Sequence, residues 1–246
     1  MAFKLMRNAR LESFVARATK PSLVLNRIIP LAYGIYLAGF SISAAVRLAG
    51  QRPKLEDAIM SDLLSPEYNP RGCYISAVAA AFCGFMLLPS VGLFIRTWRT
   101  LGTRWGEVGA WLYGLGLLSV IATAVSAPFQ MPYVPIHIYL AFIAFMSLVA
   151  GLGISLTAAV FVSHAARLKF AVAAVVLLGA FIYLIYLFFA PEYFAGRRWL
   201  LALLEWALGA LIGIGTVLVT MVAVECENRC LKSSAEALPK KTQPAA

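Results

Sequence analysis

The chain has 246 residues, 61% of them hydrophobic and 13% charged, with a formal net charge of +10. A soluble domain carries about 25% charged residues, so these proportions exclude an ordinary water-soluble fold. The basic excess is scattered over connections between apolar runs and accompanies no nucleic-acid motif, which argues against nucleic acid as a partner.

Residues 1–27 form a basic arm, with Lys4, Arg7, Arg10, Arg17, Lys20 and Arg27 set against Glu12. A solvated cytoplasmic arm touching anionic lipid is expected; an organellar presequence is the alternative. On a helical projection Arg7 falls between Leu11 and Phe14, so no amphipathic anchor is expected. The first apolar run begins too late, and is too long, for a signal peptide.

Six apolar runs follow: Ile28–Leu48, Ile75–Ile95, Gly106–Pro128, Ile136–Val162, Phe170–Ala190 and Trp199–Val224. A bilayer core takes about 20 apolar residues in a helix. Without water at depth, a spanning segment must satisfy its backbone internally, so each run should be helical. The expected fold class is all-α: a polytopic membrane protein with a six-transmembrane-helix bundle over residues 28–224. Most of the 21 basic residues lie in the arm, in loops two and four, and in the tail. That asymmetry predicts both termini cytoplasmic. The tail, 225–246, is expected to be largely disordered, from Ser233 onward.

The connection after span one, residues 51–72, is the longest. Its apolar positions Leu55, Ile59, Leu63 and Leu64 recur at helical spacing, which predicts a short interfacial helix ended by Pro66. Asn69-Pro70-Arg71-Gly72 then turns the chain into span two. Gly109, Gly114 and Gly116 in span three, Gly151 and Gly153 in span four, and Gly209, Gly213 and Gly215 in span six predict close helix packing, within the monomer or, as the alternative, in a dimer. Trp98, Trp105 and Trp199 fit interfacial belts. The cysteines predict no structural disulfide. Cys226 and Cys230, four apart, read either as ordinary free thiols or as a palmitoylation site.

Polar residues gather at the non-cytoplasmic ends of the spans. Arg47 closes span one, His137 opens span four, and Glu205 lies about 9 Å inside span six. An acid at that depth is costly unless it is paired or faces water. One reading is an outward-facing polar vestibule for a lipid or small ligand, built from Arg47, Ser61, Asp62, Arg71, His137 and Glu205. The other is a buried Glu205–Arg47 bridge that fixes packing, with Arg197 as a further cation; Gln130 could join either. Ser61, Asp62 and His137 are also the residue types of a hydrolytic site. His164 lies about 40 Å from His137 along the same span, so no metal site and no cofactor are expected. The span centres lack the polar or broken helices and the repeats of transporters and channels.

The stretch from Met60 to Pro89 resembles the DRAM-like six-span membrane proteins, above all their uncharacterised prokaryotic relatives, grouped as a domain of unknown function. Ser61-Asp62-Leu63 matches the core of their loop motif, with Leu64 where relatives have Gly. Asn69-Pro70-Arg71-Gly72 matches their turn. His137 matches a histidine opening span four, with Phe142 or Phe145 as the aromatic that follows. The resemblance implies a six-helix bundle whose outer face is organised by the Ser-Asp loop and the histidine, and no established reaction. Its link to trafficking, autophagy and lipid organisation in eukaryotic relatives makes membrane lipids the expected partners.

The expected function is therefore a non-enzymatic integral membrane protein that binds a lipid or small ligand. Asp62 would cap backbone N–H groups or pair with Arg71, His137 would offer a hydrogen bond, and Arg47 and Arg71 would contact an anionic head group. The alternatives are an accessory subunit of a larger membrane complex, a lipid hydrolase using Ser61, Asp62 and His137, and a transporter. The location would be the plasma membrane in a bacterium or an organelle membrane in a eukaryote.

Overall fold

The structure is a computed structural model that describes residues 19–49, 59–129, 136–163, 166–189 and 198–236. Expectations for the arm before Thr19, for Leu55, Gln130, His164 and Arg197, for the Cys230 side chain and for the tail beyond Glu236 lie outside the described residues. The described chain is helical throughout: α1 (Pro21–Leu48), α2 (Met60–Leu64), α3 (Cys73–Thr100), α4 (Arg104–Ser126), α5 (Ile136–Val162), α6 (Arg167–Phe189) and α7 (Arg198–Glu236). All but α2 are long and apolar enough to cross a membrane.

Two boundaries differ from the sequence reading. α1 begins at Pro21, so the end of the expected arm is helical. Pro21 sits in its first turn, where a missing N–H costs nothing. Val24–Ile28 then adopt a wider π-helical turn. Pro30 follows, and its ring would clash with the carbonyl four residues back in a regular helix. At the other end α7 runs through Glu236, past the membrane run and over the first four residues, Ser233–Glu236, of the segment expected to be disordered.

The tightest pair is α4 with α5, and glycines make it so. A Cβ on Gly151 would stand 2.5 Å from the Tyr113 nitrogen and 2.6 Å from the Gly109 carbonyl oxygen. A Cβ on Gly109 would meet the Gly151 carbonyl oxygen at 2.6 Å. These neighbours are backbone atoms and cannot step aside. α3 packs on α4, α1 on α3, α6 on α5, and α7 crosses both α5 and α3. The expected intramolecular role of the glycines therefore holds at this interface.

Trp98 departs from its expected interfacial place. It is fully buried, its ring lying over Gly106, where a Cβ would collide with the indole. Trp105 and Trp199 are exposed, as a belt position requires. Threonines within the helices return their hydroxyls to carbonyls one turn back: Thr97 to Leu93, Thr123 to Ser119, Thr216 to Ile212 and Thr220 to Thr216. That back-bonding lets a hydroxyl sit in an apolar medium with its proton satisfied.

Candidate functional site

Five-residue α2 organises the end of the bundle where α1 finishes. It does not lie flat at an interface as expected: Ile59, Met60, Asp62, Leu63 and Leu64 are all buried among α1, α3 and α7. Burying so short a helix leaves its terminal N–H and C=O groups needing partners from elsewhere in the fold.

Asn69 supplies one set. Its Nδ2 donates to Ser43 Oγ at 2.8 Å and to the Leu63 carbonyl at 3.2 Å, and its Oδ1 accepts from the Gly72 N–H at 3.1 Å. Ser76 Oγ adds a bond to the same Leu63 carbonyl at 2.6 Å, and Ser43 Oγ donates to the Gly72 carbonyl at 2.9 Å. Asn69 is 1% exposed, and Ser43 and Ser76 are 0% exposed. Gly72 is required by proximity, since a Cβ there would stand 2.6 Å from Asn69 Nδ2. The Asn-Pro-Arg-Gly turn thus ties α2 to α1 and α3.

Glu205 of α7 serves the other end of α2. Its Oε1 accepts from Ser61 Oγ at 2.9 Å, and its Oε2 accepts from the Ser61 N–H at 3.2 Å. α2 has no side-chain cap of its own, so a carboxylate from a distant helix takes the place of a capping residue. An anion at a helix N-terminus also meets the favourable end of the backbone dipoles.

The expected bridge between Glu205 and Arg47 is not formed. Arg47 Nη1 stands 3.6 Å from Asp62 Oδ2, both side chains being largely buried. Asp62 therefore takes Arg47 as its cation and not Arg71, which is exposed. Among the described residues no Lys or Arg pairs with Glu205.

A cavity of about 120 Å³ opens beside this constellation. Five of the six spans contribute to its wall, which includes Tyr36 and Phe40 of α1, Cys83 of α3, Leu117 of α4, Phe145 of α5 and Ile212 of α7. Ser61, His137 and Glu205 line it together with Thr123, Tyr33 and Tyr36 in a largely apolar surface. Of the six predicted site residues, these three meet at the cavity. Arg47 and Asp62 pair with each other, and Arg71 stands apart. Ser61 directs its hydroxyl at Glu205 and makes no hydrogen bond to His137, so a serine–histidine pair of the hydrolytic kind is not assembled.

Sequence reasoning missed Asn69 as the centre of the loop, and it missed a set of hydroxyls deeper in the bundle. Tyr33 Oη and Thr216 Oγ1 are 3.5 Å apart, and Thr216 Oγ1 is 3.4 Å from Tyr113 Oη. Tyr36 Oη donates to Met60 Sδ at 3.2 Å. Each of these polar atoms is isolated in its own span, so hydropathy hides it. The flat polar signal of the Asn-Pro turn was the one cue available for Asn69. No family model, curated protein or solved structure matches this chain.

Proposed function

We propose that this protein is a membrane-embedded binding protein that holds an amphiphilic molecule, with its polar end at Ser61, His137 and Glu205. One observation carries the reading. Among the described residues Glu205 faces the cavity with Ser61 and the start of α2 as its partners, leaving lone pairs on its carboxylate for a ligand's donor. Ligand sites commonly combine an apolar wall with a few convergent polar groups.

The chemistry of the wall revises the expected head group. Arg47 stands against Asp62 and Arg71 is exposed and off the cavity wall, so among the described residues no cation lines the cavity for an anionic head. A neutral, hydrogen-bond-donating head suits a carboxylate acceptor better. The resemblance to DRAM-like proteins at the Ser-Asp loop and His137 supports a lipid as the ligand. The Lys/Arg asymmetry supports a bundle with cytoplasmic termini and a site in the opposite leaflet.

Native mass spectrometry of the gently purified protein tests this reading. A discrete co-purifying lipid class is expected, lost in Glu205→Leu and His137→Ala variants that remain folded. The same lipid complement in wild type and both variants would overturn it. A stoichiometric protein partner without a specific lipid would favour an accessory subunit of a larger complex instead.

A further inference from the structure

α1 and α7 enclose a second space. A groove of about 500 Å³ runs between them, walled by Ile29, Leu37, Trp206, Ala210 and Val217. Leu37, Ala210 and Ile214 on its rim are exposed, so in a bilayer it faces hydrocarbon. It exists because α7 presents Gly209, Ala210 and Gly213 there, which leave no bulk to fill the gap. Tyr33, Tyr36, Met60 and Gly209 line both this groove and the Glu205 cavity. The side chains of Tyr33, Tyr36 and Met60 thus face both spaces.

The dividing wall is weakly held. Tyr36 donates to a thioether, a poor acceptor, and Met60 is a flexible side chain that rearranges readily. The Tyr33–Thr216 contact, at 3.5 Å, is at the long limit for a hydroxyl pair. Both tyrosine hydroxyls would gain from a better partner. Size points the same way. The cavity, about 120 Å³, is smaller than the ~300–1,000 Å³ of a typical ligand site, whereas the groove, about 500 Å³, falls within that range. A molecule whose head reaches Glu205 gains room for its remaining length by crossing the shared wall into the groove.

We infer that the space between α1 and α7 is a lateral entry from the bilayer, and that it holds the alkyl chain of a single-chain lipid with a neutral, hydroxyl-bearing head. The inference rests on the binding reading above. The head donates to Glu205 and accepts from Tyr36, while the chain lies along Leu37, Ala210, Gly213 and Ile214. Entry swings Met60 away from Tyr36 and needs no separation of the tightly packed α4–α5 pair.

The test uses the full-length protein in lipid nanodiscs with a monoacylglycerol carrying a diazirine on its chain. After photolysis, adducts are expected on α1 and α7 at the groove, and unlabelled monoacylglycerol should compete them away. Ala210→Phe fills the groove without lining the cavity and should reduce this labelling at least tenfold. Leu37→Trp does the same from the facing wall and serves if the first variant does not fold. Glu205→Leu, or Glu205→Gln if the leucine variant fails to fold, should reduce labelling at least threefold by removing or weakening the acceptor. Loss with the Glu205 variants but none with Ala210→Phe or Leu37→Trp would overturn the lateral route and leave the binding site standing. Loss with the groove variants but none with Glu205→Leu would overturn the head-group assignment and the binding reading with it. Uniform, uncompeted labelling over the lipid-facing helices would mean annular lipid only and overturn the inference.

Discussion

Replacing Asn69 tests whether α2 is held in the bundle by hydrogen bonds of defined polarity. Besides a long bond of 3.4 Å to the Ser43 carbonyl, Asn69→Ala removes three shorter ones: to Ser43 Oγ at 2.8 Å, to the Leu63 carbonyl at 3.2 Å and from the Gly72 N–H at 3.1 Å. At a net ~1 kcal/mol each, the loss is about 3 kcal/mol. Ser76 still serves Leu63 and Ser43 still reaches Gly72, so the groups left behind are not fully orphaned and the loss should not greatly exceed that figure. Asn69→Asp is the sharper perturbation. It keeps the shape and the acceptor to Gly72, but puts an oxygen where Nδ2 faces the Leu63 and Ser43 carbonyls. Repulsion and burial of an acid at a site 1% exposed should make it worse than alanine by about 1–2 kcal/mol. Equilibrium unfolding in mixed micelles, followed by the far-ultraviolet helical signal, measures both variants. An aspartate variant as stable as wild type, or more stable than the alanine variant, would refute the assigned polarity of the network.

The remaining predictions address packing and charge. Gly151→Leu should abolish the folded, monodisperse protein on size exclusion, because its Cβ would meet Tyr113 and Gly109 backbone atoms at 2.5–2.6 Å. Gly34→Ala, with nothing within 4 Å of the added carbon, should instead be neutral or stabilising by about 0.5–1 kcal/mol in the same unfolding assay. Arg47→Ala should cost about 2–4 kcal/mol by leaving Asp62 buried beside a lost cation, and Arg47→Met with Asp62→Leu should recover most of that; additive losses would contradict a direct pair. In a double-mutant cycle, Ser61→Ala and Glu205→Ala should couple by about 1–2 kcal/mol, whereas independent sites couple by less than about 0.5.

The spans were legible because each is an unbroken apolar run of bilayer length, and the glycines of α4 and α5 were legible because small residues at helical spacing have one main structural use. The partners of the charges were not. Charge alone offers Glu205 either Arg47 or Arg197, whereas in the fold Ser61 and the start of α2 meet the carboxylate and Arg47 stands against Asp62. Apolar periodicity in loop one marks a helix but does not show that Asp62 is buried along with Met60, Leu63 and Leu64. Trp98 was read as interfacial because tryptophans favour that depth, yet the absent side chain of Gly106 makes room for its ring inside. The hydroxyls of Tyr33, Tyr113 and Thr216 lie far apart in sequence and meet only through the packing of three helices. The groove between α1 and α7 likewise needs both helices in place before it exists.

The most direct measurement is an experimental density map of the wild-type protein in lipid nanodiscs, at a resolution that shows side chains. The account predicts continuous density from the groove between α1 and α7 past Met60 to Glu205, with a polar end within hydrogen-bond distance of the carboxylate. A closed Tyr36–Met60 wall with an empty cavity, and lipid ordered only around the outside of the bundle, would contradict it.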